Sequence, residues 1–134
     1  MPCRYHILRP GILVCVFEDT YTLAETLAVF RQGLDDPGSE GGMDIIIDIT
    51  RSQAVKTAEQ FRRVVQDLCR NDRFAGRIAV VARADDPLRY GMSRQFSALT
   101  SLDGVPMEVH ESLSAAQAWL ARDPESPDDE AATQ

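Results

Sequence analysis

The stretch Met43 to Ser52, MDIIIDITRS, decides the fold. Ile45, Ile46, Ile47 and Ile49 make a nearly unbroken run of β-branched side chains. Such a run is too short for a buried helix and suits a strand covered on both faces. Gly41 and Gly42 precede it, and Asp48, Thr50 and Ser52 bring small polar groups toward its end. The pattern predicts the central strand of a sheet, with any functional chemistry at its C-terminal end.

Working outward toward the N-terminus, residues 5–8 and 12–18 read as two strands joined by the turn Arg9-Pro10-Gly11. Thr22-Leu23-Ala24-Glu25 has the form of a capping box and opens a helix, in which Leu23, Leu27, Phe30 and Leu34 recur at helical spacing. Residues 35–42, DDPGSEGG, end that helix in what reads as the most mobile internal loop. Beyond the central strand, Thr57-Ala58-Glu59-Gln60 is a second capping box. Its helix is expected to bury Phe61, Val64, Val65, Leu68 and Cys69, with Val55 packed ahead of the first turn. Arg62, Arg63, Gln66, Asp67 and Arg70 would face out. Residues 77–83, RIAVVAR, form another short branched strand. Asp86-Pro87 starts a third helix with the stripe Leu88, Met92, Phe96, Leu99 and Leu102, and Gly91 lies inside it. A last strand over 105–110 holds Pro106 and so belongs at an edge. Ser112 caps a terminal helix carrying Leu113, Ala116, Trp119 and Leu120.

The order is β-β-α-β-α-β-α-β-α. It implies an α/β domain over residues 1–122 with a mostly parallel sheet and one antiparallel strand. Residues 123–134, DPESPDDEAATQ, hold five acids and no large apolar group, so they are expected to be a disordered acidic tail.

At 134 residues and 44% hydrophobic, the chain can build one core without staples. Its apolar runs fall far short of the roughly 18–20 residues of a membrane span. The first twenty residues lack the order of a secretory signal, which makes the expected compartment the cytoplasm. Cys3, Cys15 and Cys69 are widely spaced and read as reduced thiols, Cys15 and Cys69 as small core residues. The net charge is -7, unevenly spread: residues 51–94 carry 10 basic and 5 acidic groups, while 95–134 carry 1 basic and 8 acidic. An acidic chain is a poor nucleic-acid binder. A locally basic middle third leaves room for one patch facing an anionic or acidic partner. The plainer reading is that these arginines are a solvated helix face paired with nearby carboxylates.

With the opening hairpin, the strand IIIDIT, the strand RIAVVA, the helix DPLRYGMSRQF and the ending VPMEVHESLSAAQAWL, residues 4–122 resemble the STAS domain. That family is named for sulfate transporters and anti-sigma-factor antagonists, and the chain is most similar to its stand-alone bacterial branch, described as SpoIIAA-like. The resemblance implies a non-enzymatic regulatory or ligand-sensing module with another protein as partner. In anti-sigma-factor antagonists a serine just after the central strand is phosphorylated within an Asp-Ser-Ser-Gly-like stretch. Here the stretch is Thr50-Arg51-Ser52-Gln53-Ala54-Val55-Lys56-Thr57, so Ser52 and Thr57 hold the matching positions without the Ser-Gly signature. A phosphate there would add about -1.5 to -2 charge beside a helix N-terminus. Arg51, Lys56, Arg62 and Arg63 are the expected partner surface.

The alternative is a small apolar or anionic ligand, or a lipid, held between the third helix and the sheet. Asp48, Thr50, Gly91, Met92 and Phe96 would line that pocket, and Arg89 or Arg94 would meet the anion. Against this stands a purely structural role, in which Asp48 and Thr50 satisfy loop amides and Thr57 and Asp86 cap helices. Asp48 lacks the second acid two residues on that a phospho-aspartyl enzyme needs, since Thr50 stands there. A triad could be drawn from Ser52, His110 and Asp48, but neither a nucleophile elbow nor a phosphate loop is present. The lone histidines and unpaired cysteines favour no metal site, and no motif implies a cofactor. Dimerisation through the edge strand or the apolar helices stays open.

Overall fold

Two capping boxes fix where the first two helices begin. Thr22 Oγ1 accepts the Glu25 amide at 3.1 Å while Glu25 Oε1 accepts the Thr22 amide at 2.8 Å. Thr57 and Gln60 repeat the exchange at 3.1 and 3.0 Å. Each reciprocal pair satisfies amides that a helix's first turn leaves open. The helices so started are α1 (Leu23–Asp35) and α2 (Ala58–Cys69). The computed structural model describes residues 2–102 and 104–122.

The strands are β1 (Cys3–Arg9), β2 (Ile12–Asp19), β3 (Met43–Ser52), β4 (Phe74–Val81) and β5 (Met107–His110). Two further helices are α3 (Pro87–Leu102) and α4 (Leu113–Leu120). Apart from a short 3-10 turn at Pro37–Ser39, the element order is the one the sequence predicts. The sheet runs β1-β2-β3-β4-β5, with β1 antiparallel to β2 and every other pair parallel. Gly11, at φ +91°, supplies the left-handed residue that turns β1 into β2.

Strand alternation divides the core in two. Leu13, Cys15 and Phe17 of β2, Ile45, Ile47 and Ile49 of β3, and Ile78 and Val80 of β4 face one way. They meet Val29, Phe30 and Leu34 of α1, Phe61, Val64 and Leu68 of α2, and Phe96 of α3. Ile12, Val14, Ile46, Ala79 and Val81 face the other way, against Ala116 and Leu120 of α4. Ile45 and Ile46 are 0% exposed and Ile47 7%, so the central strand is covered on both sides. Gly33 lets α1 sit close on β2: a Cβ there would lie 2.7 Å from a Leu13 methyl.

Arg77 secures α4 to the second face. Its guanidinium donates to Asp44 Oδ2, Leu120 O and Arg122 O, each at 2.8 Å, and its amide donates to Asp44 Oδ1 at 3.2 Å. The pair is largely buried, at 16% and 11% side-chain exposure.

Several expected core positions are displaced. α3 buries Ser93, Phe96 and Thr100, while Leu88 and Leu99 stand 56% and 41% exposed. The helix is rotated so that two hydroxyl residues face in. Thr100 satisfies its own hydroxyl on Phe96 O at 3.0 Å, and Ser97 donates to Met107 O. Cys69, the last residue of α2, is exposed rather than core, and so is Val55, ahead of the helix. Residues 35–42 are joined to the rest of the fold by side-chain hydrogen bonds. Ser39 Oγ donates to Gly33 O at 2.6 Å, Arg73 to Leu34 O and Asp36 O, and Tyr5 OH to Asp36 Oδ2 at 2.9 Å. Among the described residues no helix is long and apolar enough to cross a membrane. The expected tail at 123–134 lies outside the described residues.

Candidate functional site

The C-terminal edge of the sheet is shaped by one extra residue. Val16 of β2 pairs with Asp48, but Glu18 pairs with Arg51, so β3 spends three residues where β2 spends two. A bulge of this kind reverses which face each following side chain takes. Asp48 holds it: Oδ1 accepts the Thr50 amide at 3.0 Å and the Thr50 hydroxyl at 2.7 Å. Past the bulge, Arg51 reaches Glu18 at 3.4 Å. Ser52 turns the other way, in among the side chains under α1 and α2, and is 5% exposed.

There Ser52 Oγ lies 2.8 Å from Tyr21 OH and accepts the Ala54 amide at 3.2 Å. Burial pushes the Tyr21 phenol above its ordinary pKa. Lys56 completes the rim. It is half-buried, donates Nζ to Thr26 Oγ1 at 3.1 Å, and stands 4.8 Å from the centroid of the Tyr21 ring. Burial pulls its pKa below the ordinary lysine value, and no carboxylate pairs with it among the described residues. Beneath this rim lies a cavity of about 40 Å³, lined by Phe30, Ile47, Ile49, Phe61 and Phe96 among others. Phe61 and Phe96 stack on each other in its wall, with ring centroids 4.5 Å apart and planes 8° from parallel.

The expected pocket residues therefore separate. Met92 and Phe96 line the cavity. Asp48 and Thr50 precede the reversal and hold each other on the α4 side of the sheet, so they do not join it. Gly91 and Arg94 are exposed on α3. Arg89 is 14% exposed and occupied by Asp86 at 3.1 Å, although its Nε is buried without a partner in the described structure. The positional phospho-sites separate as well: Ser52 is enclosed, whereas Thr57 is exposed and serves as the α2 cap. A Ser52, His110 and Asp48 triad does not assemble, because Ser52 is on the α1 side and His110 packs against Trp119 of α4 at 5.9 Å.

Of the expected partner surface, Arg51 is paired with Glu18 and Lys56 points inward. Arg62 and Arg63 are exposed on α2 and make no ion pair among the described residues. Beside them a groove of about 280 Å³ runs between α2 and α3, floored by Phe61, Val65 and Val105 and edged by Arg62 and Leu99. Tyr21 and Thr26 were not singled out by sequence. The signal within reach was the Thr22 capping box, which puts Tyr21 one residue ahead of α1 and Thr26 on its first turn.

Among the described residues no group of three or more His, Cys, Asp or Glu side chains is placed to hold a metal ion. Comparison with family models, with curated proteins and with solved structures found no match.

Proposed function

We propose that this chain is a non-catalytic STAS-like regulatory module, cytoplasmic, that works by binding an acidic segment of another protein along the outer face of α2. The observation that carries the reading is the pair Arg62 and Arg63. Six other arginines (Arg4, Arg31, Arg51, Arg77, Arg83 and Arg89) are engaged by carboxylates. Arg9, Arg70 and Arg94 also make no ion pair among the described residues, but Arg62 and Arg63 are the two that are adjacent in the chain, exposed on a helix of an acidic chain beside an apolar groove. Unpaired guanidiniums next to apolar floor area suit a segment that offers carboxylates and a few large side chains. On this reading a regulatory phosphate goes to exposed Thr57, at the start of the same helix, rather than to enclosed Ser52.

The test is affinity capture from the native host with the wild-type chain and with the double variant Arg62→Glu/Arg63→Glu. A defined partner should be retained by the first and weakened at least tenfold in the second, with unchanged thermal stability. Equal retention by both would remove this face from consideration. Capture of further copies of the chain alone would replace the partner with a homodimer.

A further inference from the structure

We infer that the cavity under Tyr21, Ser52 and Lys56 is a binding site for a short-chain monocarboxylate, a site separate from the α2 docking face. The geometry sets both ends of the ligand. Inside, the walls are aromatic and aliphatic, and such cavities stay dry and accept apolar groups. A volume of about 40 Å³ holds roughly three water-sized groups at ~10–15 Å³ each, hence a tail of about three or four carbons. At the rim, Lys56 offers three donors and spends one on Thr26. Its ammonium is half out of water with no carboxylate among the described residues to compensate it, an arrangement that an incoming anion relieves.

The anion is a carboxylate rather than a phosphate. Among the residues lining the cavity the rim presents one point charge and two hydroxyls already bonded to each other, and the Arg89 guanidinium that acts on Tyr21 from nearby is held by Asp86, whereas phosphate is held by forked guanidiniums or several free amides. Burial of the lysine also lowers the affinity of Nζ for its proton, an effect that a carboxylate beside it would oppose. Asp48 supports the site from behind by setting the bulge that turns Ser52 inward.

Butyrate and isovalerate are the probes, with n-butanol, butylamine and octanoate as controls, added to the full chain and followed by thermal shift and by amide NMR. Butyrate or isovalerate should saturate and shift residues around Ser52 and Lys56, while n-butanol and butylamine bind at least tenfold more weakly. Lys56→Met should lose at least tenfold in carboxylate affinity. Should that variant fold poorly, the comparison of butyrate with n-butanol on the wild-type chain still decides. Absence of a saturable response to either short carboxylate overturns the inference. So does equal binding of n-butanol, or unchanged affinity in a folded Lys56→Met. Tighter binding of octanoate overturns the size assignment and points to a fatty-acyl or lipid chain.

Discussion

Replacing Asp48 by alanine tests whether this carboxylate is a piece of architecture. It accepts two hydrogen bonds from Thr50, at 3.0 and 2.7 Å, and those bonds hold the bulge of β3. A hydrogen bond to a charged group contributes about 1.5–3 kcal/mol when buried. Asp48 is only half-buried, so solvent screening brings the two together to about 2 kcal/mol. For a chain of this size that lowers Tm by about 8 °C, at about 4 °C per kcal/mol. The loss should also have an address. Without the bulge the alternation favours the other face for Ser52, which removes the partner of Tyr21 and opens its ring to water.

The Tyr21 phenol titrates above the ordinary 10.0 because it is buried, so in Asp48→Ala its titration, read by ultraviolet absorbance, should fall back toward that value. Asp48→Asn keeps an acceptor of the same shape and should recover more than half of the lost stability. Two results would refute the reasoning. One is an Asp48→Ala variant with wild-type Tm and an unmoved tyrosine titration. The other is an Asp48→Asn variant as damaged as Asp48→Ala, which would make the charge itself the requirement and return Asp48 to the list of reactive groups.

Three further outcomes are expected. Arg77→Met strands the Asp44 carboxylate and frees the end of α4. It should lose about 2–3 kcal/mol in urea denaturation, with faster hydrogen exchange in α4, and adding Asp44→Asn should restore about half. Thr57→Ala deletes the hydroxyl half of a capping box and should lower stability by about 1 kcal/mol, measured the same way. The folded-state pKa of Lys56 is depressed below the ordinary 10.5, so between those two values the unfolded chain holds more protons. The penalty from this lysine is full below its folded pKa and fades as pH rises toward 10.5. The stability of the wild type relative to Lys56→Met should therefore climb through that alkaline interval, and a flat difference would contradict the burial of the ammonium.

The architecture was legible because it rests on local signals. Periods of two and of 3.6 separate strands from helices, and Thr22 and Thr57 announce helix starts by their own hydroxyls together with Glu25 and Gln60. The site was less legible because it rests on register. Strict alternation puts Ser52 on the face of Ile46 and Asp48, and only the pairing of Glu18 with Arg51 reveals the reversal. In the same way, a search for large apolar side chains chose Leu88 and Leu99 on α3. The packing instead chose Ser93 and Thr100, small enough to let the helix lie close, and Thr100 bonds its hydroxyl to Phe96 O within the helix.

The charge of the middle third has a similar lesson. Its 10 basic and 5 acidic groups look like a patch when counted along the chain. In space Arg51 crosses to Glu18 on β2, Arg77 to Asp44 on β3, and Arg83 and Arg89 turn to Asp85 and Asp86. What survives as free surface on α2 is small, and it lies over Phe61, whose ring both floors the α2–α3 groove and walls the cavity beneath Lys56. A close-packed ring shared by two sites is a place where occupation of one can alter the other, by an amount limited to the difference in how each ring position suits the two ligands. By linkage that difference acts equally in both directions. A carboxylate that tightened the docking face would therefore itself be held more tightly once a partner had docked.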